Sequence, residues 1–222
     1  MSVIPASFRS RVRVGVEPIA RLFGRLGLTP NMLTLIGFAI AVIGAWLAAT
    51  QAWLLAGLVV AFGAIFDLFD GALARATNRT SNFGAFLDST MDRAGEAVVY
   101  IGIAIGLADV GLIAGPQVAA AAMAAAFLVS YARAKSESLG FSSGSGMASV
   151  GLAPREVRVA ILTVGLIVAG LLVEPVRQFA PPWWIVLVGS LVLITVLAAI
   201  TTIQRILFTY NQSRSSKQEV NH

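Results

Sequence analysis

Four aspartates hold most of the chemistry in this chain: Asp67 and Asp70 in Asp67-Leu-Phe-Asp70-Gly71-Ala-Leu-Ala74-Arg75, and Asp88 and Asp92 in Asp88-Ser-Thr-Met-Asp92, which follows Gly84. Side chains three or four residues apart share one face of a helix, so each pair presents two carboxylates in one direction. Their surroundings are apolar, and a carboxylate inside a membrane span is costly unless a partner neutralises it. Two divalent cations would cancel the four formal negative charges. Hard oxygen donors favour magnesium, manganese or calcium over zinc. The chain has no cysteine, and its single histidine is terminal His222, which leaves carboxylates as the ligand set. Gly71 and Ala74 lie on the aspartates' side of the helix and remove bulk there, while Arg75 adds a fixed cation suited to a phosphate.

The elements that must position these groups are membrane helices. The chain is 57% hydrophobic and 12% charged, with a mean hydropathy of +0.83 and several apolar runs of about 20 residues, the length that crosses hydrocarbon as a helix. This predicts an all-α integral membrane protein with six transmembrane helices, at roughly 31–50, 53–76, 84–107, 113–138, 155–173 and 183–208. An N-terminal interfacial amphipathic helix within 1–28 precedes the six-helix domain of 29–210, and 211–222 is a polar cytoplasmic tail. No internal repeat and no cleavable signal peptide are expected, because the start of the chain is arginine-rich rather than apolar.

Charge sets the expected orientation. Arg9, Arg11, Arg13, Arg21 and Arg25 precede the first span; Arg75, Arg79 and Arg93 flank the second connection; Arg133, Lys135, Arg155 and Arg158 flank the fourth; Arg205, Arg214 and Lys217 close the chain, and only Arg177 falls on the other side. The positive-inside rule then places both termini in the cytoplasm, in a multi-pass protein of the inner (plasma) membrane. This basic rim accounts for the net charge of +5. It suits anionic lipid and phosphate rather than nucleic acid, since the cations border spans and form no soluble reading surface.

In the N-terminal segment Arg9, Arg13, Glu17, Arg21 and Arg25 oppose Phe8, Val12, Val16, Ile19, Leu22, Phe23 and Leu26 at helical spacing, the pattern of a helix lying in the interface. Pro18 divides this helix or starts a second piece. Leu28-Thr29-Pro30-Asn31 then breaks the chain before span one, leaving Asn31 and Thr34 one turn apart. Asp67 lies about 13 Å below the end of its span at 1.5 Å per residue, inside the membrane. The next helix returns antiparallel from the same side, so the two carboxylate pairs can converge.

Plainer readings exist for each part. A lone membrane aspartate lines an ion path or pairs with an arginine as structural glue. Gly71, Gly84 and Ala74 taken singly mean close helix packing. The joint spacing is what separates this chain from those cases.

Asp67-x2-Asp70-Gly71-x2-Ala74-Arg75-x8-Gly84-x3-Asp88-x3-Asp92 resembles, at each of its positions, the signature of the CDP-alcohol phosphotransferase family, integral membrane enzymes that join an alcohol to a CDP-linked donor and release CMP. The six spans and the Leu-Thr-Pro-Asn entry to span one are similar to that family too. The resemblance implies a homodimer with a cytoplasm-facing cavity, in which Asp67, Asp70, Asp88 and Asp92 hold two Mg2+ ions, with Mn2+ as the alternative. It implies Asp92 as general base, and Asn31, Met32, Leu33, Thr34, Gly71, Ala74, Arg75 and Ser81 as contacts to a CDP-diacylglycerol donor.

Arg133, Lys135, Arg155, Arg158 and Arg205 gather at the cytoplasmic ends of the last three spans, more cations than a neutral alcohol requires, although the positive-inside bias alone explains part of them. They suggest a phosphorylated acceptor. Ser130-Tyr131-Ala132-Arg133-Ala134-Lys135-Ser136-Glu137, the Arg155/Arg158 pair and Gln204-Arg205 resemble the actinobacterial phosphatidylinositol phosphate synthases, which implies inositol 1-phosphate as acceptor and these five cations as its phosphate site. Phosphatidylglycerophosphate synthesis from glycerol 3-phosphate is the alternative within the family, and a cation transporter the alternative of another class. The small-residue stretch 140–151 is either a slack connection or a gate over the cavity.

Overall fold

The computed structural model describes residues 18–141, 150–176 and 183–219, which are helical apart from short connections and contain no strand. A short helix α1 (residues 18–25) is followed by α2 (Pro30–Ala49), α3 (Trp53–Ala76), α4 (Asn82–Asp109), α5 (Gly115–Ser138), α6 (Arg155–Val176) and α7 (Trp184–Glu219). The readings placed on Arg9, Arg11 and Arg13, on most of the 140–151 stretch, on Arg177 and on His222 lie outside the described residues.

Local chemistry sets the boundaries that matter for the site. Thr29 caps α2, its hydroxyl accepting from the Met32 amide at 3.3 Å, and Pro30 occupies the first turn, where a missing N–H costs nothing. Ser81 caps α4 in the same way, accepting from the Gly84 amide at 3.0 Å. Between them the α3–α4 connection is only a few residues long and passes through Asn78 at φ 52°, a left-handed position that asparagine tolerates. This tight connection lays the aspartate pairs of α3 and α4 side by side. Helix α7 runs to Glu219, through the stretch expected as a tail, because no glycine or proline follows Gly189 to interrupt it.

The long helices close into a ring, α2 against α3, α3 against α6, α6 against α7, α7 against α5, α5 against α4, and α4 back against α2. Inside the ring Trp53, Tyr100, Ile103, Leu107, Leu166, Leu187, Leu191 and Ile194 are buried among alanines of α2 and α5. Small residues let the backbones approach, the packing that serves helices in lipid, where burial from water contributes little. A Cβ on Gly102 or Gly106 of α4 would strike the carbonyl oxygen of Ala45 or Ala48 on α2, and one on Gly95 would stand 3.2 Å from the Ala41 methyl. Helix α1 docks on the end of α3: Ala20 is buried with Leu33, Ala72 and Leu73, and the Phe23 ring packs edge-on against Phe69 with centroids 5.5 Å apart.

The chain is a membrane protein, with five helices, α2, α3, α5, α6 and α7, long and apolar enough to cross a bilayer. Six were expected. Helix α4 has the length, at 28 residues, but it carries Asp88, Asp92, Arg93 and Glu96 on its first half. The chemistry that makes this helix interesting is what removes it from a count based on hydropathy.

Replacing Gly102 by alanine is expected to lower the thermal unfolding midpoint of the protein in detergent, by the equivalent of about 1–3 kcal/mol of overpacking. Gly95→Ala, which meets a methyl that can shift, is expected to cost less. Thermal unfolding of the two purified variants beside wild type checks the order.

Candidate active site

Thr34 of α2, Asp67 and Asp70 of α3, Asp88 and Asp92 of α4, and Arg155 of α6 line one cavity of about 620 Å³, together with Gly37, Gly63, Gly95 and Glu96. A second cavity of about 580 Å³ adjoins it and shares Thr34, Asp70 and Asp88; its other walls are Asn31, Gly71, Ala74, Arg75, Arg79, Thr80, Ser81 and Gly84, among others. The two form one cleft with an acidic chamber and a basic, hydroxyl-lined mouth.

Each carboxylate is set by its neighbours. Asp70 is buried, and its Oδ2 accepts from the Thr34 hydroxyl at 2.9 Å, which ties α3 to the first turn of α2. Asp67 lies against Gly37, where an added Cβ would come within 2.8 Å of its Oδ1; only glycine leaves that carboxylate room. Arg155 reaches across from α6: its Nη2 donates to Asp67 Oδ2 at 2.7 Å, and its Nη1 lies 3.1 Å from Asp92 Oδ1. Arg93 stands farther off, 4.0 Å from Asp92 Oδ2, and spends its Nη1 on the Ser89 carbonyl. Gly71 leaves room for Arg75, whose Nη1 would be 3.2 Å from a Cβ placed there.

A different arginine serves the frame. Arg158, one turn beyond Arg155, is 1% exposed; it grips Glu96 through Nε and Nη2 at 2.8 and 2.7 Å and donates from Nη1 to the Ala153 carbonyl at 2.9 Å. This two-pronged ion pair locks α6 to α4 beside the acidic chamber. Arg205 of α7 is also buried, donating to the carbonyls of Val129 and Val150 at 2.6 and 3.1 Å. Thr201 holds the same connection, its hydroxyl accepting from the amides of Leu152 and Ala153. Arg133 is exposed and paired with Glu137 at 2.8 Å, and Lys135 is exposed nearby.

The structure therefore brings together all four aspartates, and it gathers Asn31, Thr34, Gly71, Ala74, Arg75 and Ser81 of the expected donor set around one mouth. Met32 points outward at 45% exposure, and Leu33 is buried against Leu73, so neither lines the cleft. Of the five expected phosphate cations only Arg155 lines it. Arg158 and Arg205 are occupied by buried protein partners, while Arg205 remains within electrostatic reach of Arg133, Arg158 and Glu137. Glu96, Gly37 and Thr80 are site residues that the sequence reading does not name, and Arg79 enters it only as part of the basic rim; the signal for Glu96 is its place four residues after Asp92, on the face already bearing Asp88 and Asp92.

Among the described residues no three carboxylates stand close enough to share an ion, and the Arg155 guanidinium fills the space between Asp67 and Asp92. The donor set still fits a divalent cation: four hard carboxylates converge on one chamber without imidazole or thiolate, and a positive group already bridges two of them.

The chain belongs to the CDP-alcohol phosphatidyltransferase family, whose model matches residues 27–188. It is 37% identical over 204 residues to a phosphatidylinositol phosphate synthase of Cutibacterium acnes, across 89% of this chain and 93% of that protein. It is 39% identical over 159 residues to an archaetidylinositol phosphate synthase of Pyrococcus horikoshii, across 72% of this chain and 80% of the relative. The crystal structure of Mycobacterium tuberculosis phosphatidylinositol phosphate synthase with CDP-DAG bound matches at TM-score 0.73 and 30% identity, covering 88% of this chain and 93% of that one. The structure of the same enzyme with manganese and citrate matches at TM-score 0.75 and 29% identity, covering 88% of each chain.

Removing one member of the Arg158–Glu96 pair leaves a buried charge alone, so Glu96→Gln is expected to destabilise the protein by about 3–5 kcal/mol. The double variant Glu96→Gln/Arg158→Gln is expected to recover part of that loss. Thermal unfolding of the single and double variants reads the coupling, which an arginine serving only as a surface anion ligand would not show.

Proposed function

We propose that this chain is a phospholipid synthase that transfers the phosphatidyl group of CDP-diacylglycerol to inositol 1-phosphate and releases CMP. The observation that carries this reading is one cleft in which four carboxylates adjoin a mouth lined by Asn31, Thr34, Gly71, Ala74, Arg75 and Ser81. The synthases of inositol phospholipids among its relatives, and the CDP-DAG and manganese held by the mycobacterial enzyme, support it.

On this reading the donor's diphosphate enters the mouth. Arg75, with Arg79 beside it, draws in the phosphates, Gly71 lets a phosphate approach the backbone, and the Ser81 and Thr34 hydroxyls offer polar contacts at the border with the acidic chamber. Asp67, Asp70, Asp88 and Asp92 would hold two divalent cations, Mg2+ or Mn2+, which when bound supply positive charge to phosphoryl oxygens as negative charge builds on them. An acceptor hydroxyl forms a bond to the donor's β-phosphorus, the bond from that phosphorus to the CMP oxygen breaks, and the hydroxyl proton passes to Asp92. A carboxylate is a weak base alone; it acts by sitting next to a hydroxyl whose acidity rises as the new bond forms. Arg155 reaches the acceptor's phosphate directly, with Arg133 and Lys135 at the rim, while Arg158 and Arg205 fix α6 and the 150–153 connection around it.

The same reading makes α4 the sixth span. Its carboxylates are neutralised inside the ring by Arg155, Arg158 and bound cations, so its polar half never meets lipid unpaired. The six-helix domain of 29–210 faces its cleft to the cytoplasm from the inner membrane, works as a homodimer, and carries the interfacial segment 1–28 and the tail 211–222.

The test is CMP release by the purified protein with CDP-diacylglycerol and each acceptor in turn. Inositol 1-phosphate is expected to drive turnover; turnover with glycerol 3-phosphate alone would overturn the acceptor, and use of unphosphorylated inositol would overturn the anionic pocket. In the same assay Asp92→Asn is expected to lower kcat by about 10²–10⁴ while the donor still binds, since the mouth is untouched. Near-native turnover in that variant would remove Asp92 from the base role.

A further inference from the structure

Among the described residues, Arg155 is the cation inserted between carboxylates of the acidic chamber. Two of its nitrogens face Asp67 and Asp92. Its Nε is buried and has no hydrogen-bond partner among the described residues. A buried donor left unpaired is costly, and a phosphate oxygen is a group that would pair it. Arg158, three residues on, differs in kind: all its nitrogen edges are engaged and it is 1% exposed, whereas the Arg155 side chain is 33% exposed at the cleft. One arginine is fixed and the other has room to move.

Charge gives the direction of movement. Four carboxylates against one guanidinium leave the chamber strongly negative; four carboxylates against two divalent ions leave it neutral. A guanidinium remaining there beside both ions would add an uncompensated positive charge at hydrogen-bond distance from metal ligands. It has a better partner in a phosphate, which accepts from two or three guanidinium nitrogens at once and can satisfy Nε.

We propose that Arg155 is an exchangeable cation. Without metal it sits between Asp67 and Asp92, where a divalent ion would be held, and once displaced it turns to the acceptor's phosphate, so metal and acceptor each favour the other's binding. The inference rests on the metal and acceptor readings given above and adds the coupling between them. By linkage, whatever factor the acceptor contributes to metal affinity, the metal contributes to acceptor affinity.

The test titrates Mn2+ into the full-length protein in detergent, without donor, counting free ion by electron paramagnetic resonance, with and without inositol 1-phosphate. Arg155→Gln is expected to bind Mn2+ about tenfold tighter than wild type or more, having lost the competitor, on the scale of one charge-assisted contact. Arg155→Lys is expected to fall between them, since one ammonium cannot bridge both carboxylates as a planar fork does. Arg93→Gln removes the same charge from a side chain that is also 33% exposed and stands 4.0 Å from Asp92 without entering the chamber; its Mn2+ affinity is expected to change by less than about threefold, as for a weakly coupled surface charge. In wild type, inositol 1-phosphate is expected to tighten Mn2+ binding about 5- to 150-fold, the usual range of such couplings, and Arg155→Gln is expected to lose that effect.

Mn2+ affinity in Arg155→Gln no greater than in Arg93→Gln would overturn the exchange. An acceptor effect absent from wild type, or retained in Arg155→Gln, would overturn the hand-over to phosphate. A wild-type protein that binds no Mn2+ would overturn the metal reading itself, and this inference with it.

Discussion

Uncompensated negative charge inside an apolar helix bundle is the constraint on which the rest of this structure depends. Helices α3 and α4 bring Asp67, Asp70, Asp88 and Asp92 to one chamber, and Glu96 lies one turn further along α4. A bilayer tolerates such a group only when each charge has a partner. Glu96 is answered by Arg158 in a buried two-pronged pair. Asp70 is answered by the Thr34 hydroxyl, and Asp67 and Asp92 by Arg155. Every one of these partners comes from a different helix than its carboxylate, so holding these carboxylates and assembling the ring are one process.

Close packing makes that assembly exact enough for chemistry. Gly102 and Gly106 let α4 lie against the backbone of α2, which sets the depth of Asp88 and Asp92 relative to Thr34. On α3, Gly57 meets Ile167 and Leu54 meets Gly170, an approach that carries α6 to the distance at which Arg155 reaches the aspartates. The Thr201 and Arg205 bonds to the 150–153 segment then fix where α6 begins. None of these residues touches the acidic chamber, yet each determines the separation of groups that do.

Much of this was legible in the sequence, and the exceptions share a cause. Spacing placed each aspartate pair on one face, and the short α3–α4 connection placed the faces together. The donor stretch 31–34 divided as helical geometry requires: Asn31 and Thr34 share a face and line the cleft, whereas Met32 and Leu33 turn to the outside and to α3. The basic residues resisted reading because position along the chain says which end of a helix a cation occupies, not whether it meets a carboxylate, a carbonyl or solvent. Arg155 and Arg158 are neighbours on one helix with opposite fates, decided by where Glu96 and Asp67 lie on helices distant in sequence. Helix α4 reads as a span from its apolar second half, while Asp88, Asp92, Arg93 and Glu96 in its first half keep it out of the helices apolar enough to cross a bilayer.

On the proposed function, the carboxylates of α3 and α4 would form one divalent-metal site bordering the mouth that receives the donor's diphosphate. Anomalous diffraction from crystals grown with Mn2+ and CDP-diacylglycerol tests it most directly. Manganese peaks are expected among Asp67, Asp70, Asp88 and Asp92, with the diphosphate beside Gly71 and Arg75. Manganese found elsewhere, with Asp67 and Asp92 still joined by Arg155 in a crystal whose protein turns over, would contradict it.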